Sequence, residues 1–446
     1  MTALPTHESR TRRPGWQQRP AKAAKERGQP VVTGISIAFI GYTSTFAVVL
    51  TGLRAVGASP AEAASGLVAL CASLGLGTLY LSRRYRMPIT SAWSTPGAAV
   101  LASAGHVAGG WPAAVGAFLV AAALVVLTGL WPRLGTLVMK IPAPIAQAML
   151  AGVLLQLCLV PVQALASHPW EVAPILVSWL VASVIAPRWA VPVAFTATVA
   201  VVAFLAVRGA GPRGPWLPHL TLTAPHLTLA AVVGIALPLY VVTMAAQNVP
   251  GVAIMNSFGF QVPWRASMTV TGLGTAFAAP FGGHAVSLAA ISAALPASPQ
   301  AHPDPGRRWI SSQAFGVAYL VIAAGTTALT SFLAIAPPDV VKTVAGVGLL
   351  GTLAYALTAS LAGTGERLSP EQQVASAVTF VVAASGTTLA AVNSTCWALV
   401  AGLVVHFAFT APVGLRKARP APAGHSPVPA TSVDGEYGNP QEGSGR

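Results

Sequence analysis

Three short stretches of this chain gather hydroxyl, amide, imidazole and helix-breaking residues within apolar surroundings. The first reads Ser91-Ala92-Trp93-Ser94-Thr95-Pro96-Gly97-Ala98. The second reads Pro280-Phe281-Gly282-Gly283-His284-Ala285, and the third Thr243-Met244-Ala245-Ala246-Gln247-Asn248-Val249-Pro250-Gly251. The chemistry on offer is recognition of an anion without a fixed charge. A helix that starts inside a membrane leaves its first N–H groups free and puts the positive end of its dipole there. A carboxylate or phosphate is stabilised at such an end. Pro96 suits a first helical turn capped by Ser94 or Thr95. The Gln247 and Asn248 amides donate to a carboxylate and accept from a ring N–H or hydroxyl; alternatively, they tie two helices together just before a helix end at Pro250-Gly251. His284 is the main titratable group at depth, and an imidazole exchanges its proton at about pH 6.5. Tyr42-Thr43-Ser44-Thr45 supplies hydroxyls that either line the same cavity or bond back to their own helix. Phe46, Trp93, Tyr240 and Phe281 are candidate apolar walls for a ring-bearing substrate.

The carboxylates are as informative by their positions. All eleven (Glu8, Glu26, Glu62, Glu171, Asp304, Asp339, Glu366, Glu371, Asp434, Glu436 and Glu442) fall outside the middle of any expected span. Most proton-coupled carriers use an intramembrane Asp or Glu. The pattern excludes a carboxylate metal site, and neither HExxH nor a Ser/His/Asp arrangement is present. Neither catalysis nor a cofactor is expected.

Positioning these residues requires a membrane scaffold. Of 446 residues, 54% are hydrophobic and 8% charged, against roughly 25% charged in a soluble domain. That excludes a soluble enzyme, a disordered chain and a nucleic-acid binder, despite a net charge of +14. Cys71, Cys158 and Cys396 lie in apolar segments, which excludes a disulfide framework. Residues 1–30, basic and proline-rich, read as a disordered cytoplasmic tail, and 411–446 as a second; both are able to touch anionic lipid. A spanning helix takes about 20 residues. The breaks between the tails predict spans near 31–52, 60–82, 88–103, 109–131, 143–163, 172–186, 189–207, 227–247, 264–280, 283–296, 309–335, 339–360, 371–390 and 393–410. With the N-terminus inside, 21 basic residues fall on the cytoplasmic side and four (Arg54, Arg208, Arg213 and Lys342) outside, which is the bias expected of the correct frame.

The expected class is therefore all-α and polytopic, with about 14 transmembrane helices. Two groups of seven, 31–207 and 227–410, flank a linker at 208–226. A duplicated odd number of spans must insert upside down, and inverted repeats mark secondary transporters. The third span of each group is short and interrupted by Gly and Pro, the sequence pointer to a transporter's site. The expectation is a pair of half-helices at spans 3 and 10 whose N-termini face each other.

GYTST in span 1, AWSTPGA in span 3, TMAAQNVPG in span 8, PFGGHAVSLAAI in span 10 and AHPDPGRRW after it resemble the benzoate/proton symporter family. That family is similar in fold to uracil and nucleobase–ascorbate transporters. The resemblance implies a core domain of spans 1–4 and 8–11, a gate domain of spans 5–7 and 12–14, and an elevator-like shift of the core. It implies substrate binding by Tyr42, Ser94, Thr95, Gly97, Gln247, Asn248, Gly283 and His284, with His284 carrying the coupled proton. Nucleobase relatives place carboxylates in spans 8 and 10; their absence here fits an anionic substrate. Ser287 departs from the Asn expected in typical members. The expected partners are an aromatic carboxylate such as benzoate, protons and membrane lipid, in a bacterial inner membrane. A homodimer stays open. The alternatives are a nucleobase or other organic-anion symporter, and an anion channel or uniporter of the same fold.

Overall fold

The computed structural model describes residues 18–105, 107–131, 133–135, 140–209, 216–363, 368–389 and 392–410. Residues 1–17 and 411–446 of the two expected tails, and His106, Arg213, Glu366 and Arg367, lie outside the described residues. The chain is mostly helical. Among the described residues, eight helices are long and apolar enough to cross a membrane, and Pro169–Ile185 and Ser394–Phe409 are shorter apolar helices.

The first group comprises α1 (Gln18–Ala55), α2 (Pro60–Tyr85), β1 (Ser91–Trp93), α3 (Thr95–Ala104), α4 (Gly110–Leu130), α5 (Ala143–Ser167), α6 (Pro169–Ile185) and α7 (Ala190–Val207). The second comprises α8 (Leu229–Ser257), α9 (Trp264–Ala278), β2 (Val286–Leu288), α10 (Trp309–Leu333), α11 (Pro338–Ala362), α12 (Pro370–Ala384), β3 (Thr388–Leu389), β4 (Val392–Asn393) and α13 (Ser394–Thr410). Two interlocked bodies result. In one, α1 and α2 pack on α10, α4 and α2 on α9, and α3 on α1 and α8. In the other, α5 packs on α11, α12 and α13, and α6 on α7.

Three expectations are corrected. α1 starts well before residue 31, because Ala21-Lys22-Ala23-Ala24-Lys25-Glu26 are strong helix formers and prolong the apolar helix. α8 runs past Pro250-Gly251 to Ser257, with wider π-type turns at Val232–Ala236 and Met244–Asn248. The second of these absorbs the proline that follows it, since a widened turn already departs from the regular bonding ladder. Finally, the helix of span 10 starts later than Gly283 and is short. A left-handed Gly282 (φ 97°) turns the chain out of a one-turn helix into extended backbone at β2. Beyond it a short helix runs from Ile291 to Ala297, a tight first turn at Ile291–Ala293 continuing into Ala294–Ala297.

β1 and β2 pair antiparallel, with Ser91 opposite Leu288, Ala92 opposite Ser287 and Trp93 opposite Val286. Both strands are enclosed by helices, and their outer edges are closed by threonine. The Ser91 N–H donates to Thr78 Oγ1 of α2 at 2.8 Å. The Val286 N–H donates to Thr275 Oγ1 of α9 at 2.8 Å. Each hydroxyl takes the place of a missing third strand.

Backbone contact also sets the α2–α10 seam. A Cβ on Gly316 would stand 2.9 Å from the Gly75 carbonyl oxygen and 2.8 Å from Leu79 Cγ. Gly316→Val is expected to cost about 1–3 kcal/mol through overpacking, read as a lower melting temperature of the detergent-solubilised protein. Thr275→Val should cost about 1–3 kcal/mol by stranding the Val286 N–H, and Thr275→Ser should restore most of that stability in the same melt.

Candidate substrate site

The site grows from the meeting of β1, β2 and α8. Ser94 ends β1 and caps α3. Its Oγ accepts from the Gly97 N–H at 3.1 Å, with Pro96 in the first turn. Of the two caps considered, Ser94 is the one used. Its backbone N–H donates to Ala285 O at 2.9 Å, which extends the strand pairing by one bond. Thr243 of α8 donates its hydroxyl to Ser94 Oγ at 2.8 Å. With both neighbours donating to this oxygen, the Ser94 O–H itself is free to donate. Gly97 permits the approach of α8, because a Cβ there would lie 2.5 Å from Leu239 Cδ1.

His284 lies directly across. Its Nε2 is 2.9 Å from the Ser94 carbonyl oxygen. A carbonyl only accepts, so Nε2 carries the proton. Nδ1 is buried and has no partner among the described residues. The neutral ring therefore offers a lone pair at Nδ1, and the protonated ring a second N–H. Ser94 and His284 are both fully enclosed.

The Met244–Asn248 π turn carries Gln247 and Asn248 to the far side of β2. Asn248 Oδ1 accepts from the Leu288 N–H at 2.8 Å, and Gln247 Oε1 from the Ala290 N–H at 3.3 Å. The Ala289 N–H donates to Thr90 O at 2.9 Å. The Leu288, Ala289 and Ala290 amides that lead into the helix of span 10 are thus already occupied. Each paired strand is followed by a helix start, the longer at α3 and the shorter at Ile291. Thr95 and Gln247 are partly exposed, whereas Tyr42, Gly97, Asn248 and Gly283 are buried. The Tyr42 hydroxyl pairs with Thr326 Oγ1 at 3.0 Å, and its ring lies 5.7 Å from that of Trp93. Trp93 donates from its indole to Thr45 Oγ1 at 2.8 Å. Ser287, in the middle of β2, donates to Ala92 O at 3.3 Å. Among the described residues no Asp or Glu is buried.

All eight expected residues cluster around α3 and β2. The segment AHPDPGRRW does not join them. Buried Arg308 donates to the carbonyls of Ala297 (2.8 Å), His302 (2.9 Å) and Pro303 (3.3 Å), and so clamps the turn before α10. Sequence reasoning missed Thr78 and Thr275 as supports of the site, and it named Thr243 only as a member of the third polar stretch. A threonine within an apolar helix most often bonds back to its own helix, so no local signal separates these three from the rest.

Comparison with known proteins agrees with this architecture. A family model described as benzoate membrane transport protein matches residues 26–408. The inner membrane protein YdcO of Escherichia coli K12 is 35% identical over 378 residues, covering 84% of this chain and 94% of the relative. The benzoate membrane transport protein of Acinetobacter baylyi is 25% identical over 386 residues, covering 85% and 95%. The transmembrane domain of the cyanobacterial bicarbonate transporter BicA shares the fold, with a TM-score of 0.58 at 15% identity over 85% of this chain and 98% of that one. Murine Solute Carrier 26 family member A9, an anion transporter solved inward-facing, gives 0.60 at 12% identity over 91% and 73%. The chain accordingly belongs to the benzoate membrane transport protein family, and it is a membrane transporter rather than an enzyme.

Proposed function

We propose that the chain imports an aromatic carboxylate of the benzoate type together with protons. The observation that carries this reading is the capped N-terminus of α3 facing His284, with no buried carboxylate among the described residues. A fixed carboxylate there would repel an anionic cargo. In the proposed cycle the cargo's carboxylate meets Thr95 and Gln247 first, being the partly exposed members of the cluster. It then settles at the positive end of the α3 dipole, with the free Ser94 O–H and a protonated His284 Nδ1 donating. Proton uptake at Nδ1 leaves the Nε2 bond to Ser94 intact. The loaded site becomes electrically neutral, which lowers the penalty of carrying a charge through a low-dielectric interior.

The body built from α1–α4 and α8–α10 would then shift as a core against the α5–α7 and α11–α13 gate. The same proposal includes fourteen spans in a seven-plus-seven inverted repeat. It also puts both termini in the cytoplasm of a bacterial inner membrane, as the 21-to-4 distribution of basic residues favours. Uncoupled passage of a small anion is the second reading. The fold shared with a bicarbonate transporter and an anion transporter favours it.

Radiolabelled benzoate uptake into proteoliposomes, with and without an inward proton gradient, separates the two. Accumulation that needs the gradient and is unaffected by uracil is expected, whereas equilibration without accumulation would select the uniporter or channel. His284→Ala should abolish accumulation. Full gradient-driven uptake by His284→Ala would remove the histidine from the mechanism.

A further inference from the structure

A cavity of about 840 Å³ opens between the two bodies, away from the Ser94–His284 cluster. Its size falls within the roughly 300–1,000 Å³ of small-molecule pockets. The ends of α1 and α3 form one wall, and α5 with the connection from α10 to α11 forms the other. The surface is largely aliphatic, for example at Leu157 and Leu333. Most of its polar side chains are already engaged. Ser103 donates to Val100 O at 2.9 Å, and Gln156 Nε2 to Ala384 O at 2.5 Å. Lys342 is paired with Asp339 at 3.1 Å. Arg54 is the charged exception. It lines the cavity, it is exposed, and among the described residues its guanidinium has neither a hydrogen bond nor an ion pair.

The cavity also meets the far end of the helix that begins at the candidate site. α3 starts behind Ser94, and Ala102 and Ser103 near its other end line the cavity. Eight residues of helix separate Ser94 from Ala102, or about 12 Å. The C-terminal carbonyls of α3 present the negative end of its dipole on this side. An anion is repelled there unless a cation offsets the field, and Arg54 is the unpaired cation in place. A guanidinium beside an aliphatic wall matches a ligand with one carboxylate and a hydrocarbon body.

We propose that this cavity is an entry site for an organic monoanion. Arg54 holds the carboxylate, and the aliphatic wall receives the hydrocarbon part before transfer along α3 to the Ser94 end. This rests on the reading of the cargo as an aromatic carboxylate, and its test does not depend on transport. Ser103→Cys places a thiol in the cavity, with Ala102→Cys as a second reporter and the wild-type chain as the blank for its three native thiols. Purified protein in nanodiscs is labelled with a sulfonate-bearing and a trimethylammonium-bearing methanethiosulfonate, and the rates are referred to those of a free thiol. Adding Arg54→Gln should lower the anionic-to-cationic rate ratio about fivefold at low ionic strength. The effect should shrink to below about twofold in 1 M salt, where the screening length is about 3 Å. Arg54→Lys should keep most of the ratio, and benzoate should slow both reagents. An unchanged ratio in Arg54→Gln overturns the proposal, whatever the wild type transports. Failure of benzoate uptake with the ratio effect and benzoate protection intact overturns the transport reading and leaves the entry site standing.

Discussion

A polypeptide inside a bilayer has no water to satisfy its N–H and C=O groups, and the architecture of this protein follows from that constraint. β1 and β2 are non-helical backbone enclosed among apolar helices, so every donor they expose needs a protein acceptor. They satisfy one another along their shared edge. Thr78, Thr275, Asn248 and Gln247 accept from further amides at Ser91, Val286, Leu288 and Ala290. Helices α2, α8 and α9 are therefore bound to the strand pair by hydrogen bonds as well as by packing.

The same constraint accounts for the unusual form of α8. A regular helix through Met244–Asn248 would present its side chains about every 100°. The π turn alters that phase and brings both amide side chains to β2, while Thr243, just before it, reaches Ser94. π turns occur often at functional sites. Here the turn lets one helix serve both the cap of α3 and the edge of β2. The Leu288 and Ala290 amides are consumed in this way, and α3 is the longer of the two helix starts beside the strands.

Charge is arranged around this uncharged centre. The described carboxylates stay out of the buried interior, and the one strongly buried arginine, Arg308, is spent on three carbonyls that shape a turn. The candidate site accordingly offers hydroxyls, one imidazole and backbone dipoles. Such groups recognise an anion without the desolvation penalty of a permanent buried ion. His284 is the one imidazole of the eight-residue cluster.

The amino-acid sequence by itself determined the class, the order of the helical segments and the polar stretches that meet around α3 and β2. Long apolar runs punctuated by Gly, Pro and Arg have little alternative to membrane helices. A Ser-Thr-Pro-Gly string dictates a capped helix start wherever it sits, and Ser94 caps α3 as that string predicts. The form of span 10 was not legible, because Gly282-Gly283 is compatible with a helix start or with extended chain. Only the presence of β1 alongside, and of amide acceptors on α8, decides for a strand. The threonines at 78, 243 and 275 became site supports for the same reason. Their local sequence resembles that of any helix-bonding threonine, and their roles come from partners between 11 and 149 residues away. Local propensity is written in neighbouring residues. The satisfaction of buried backbone donors is settled only when distant segments meet, and that is what the tertiary structure decided.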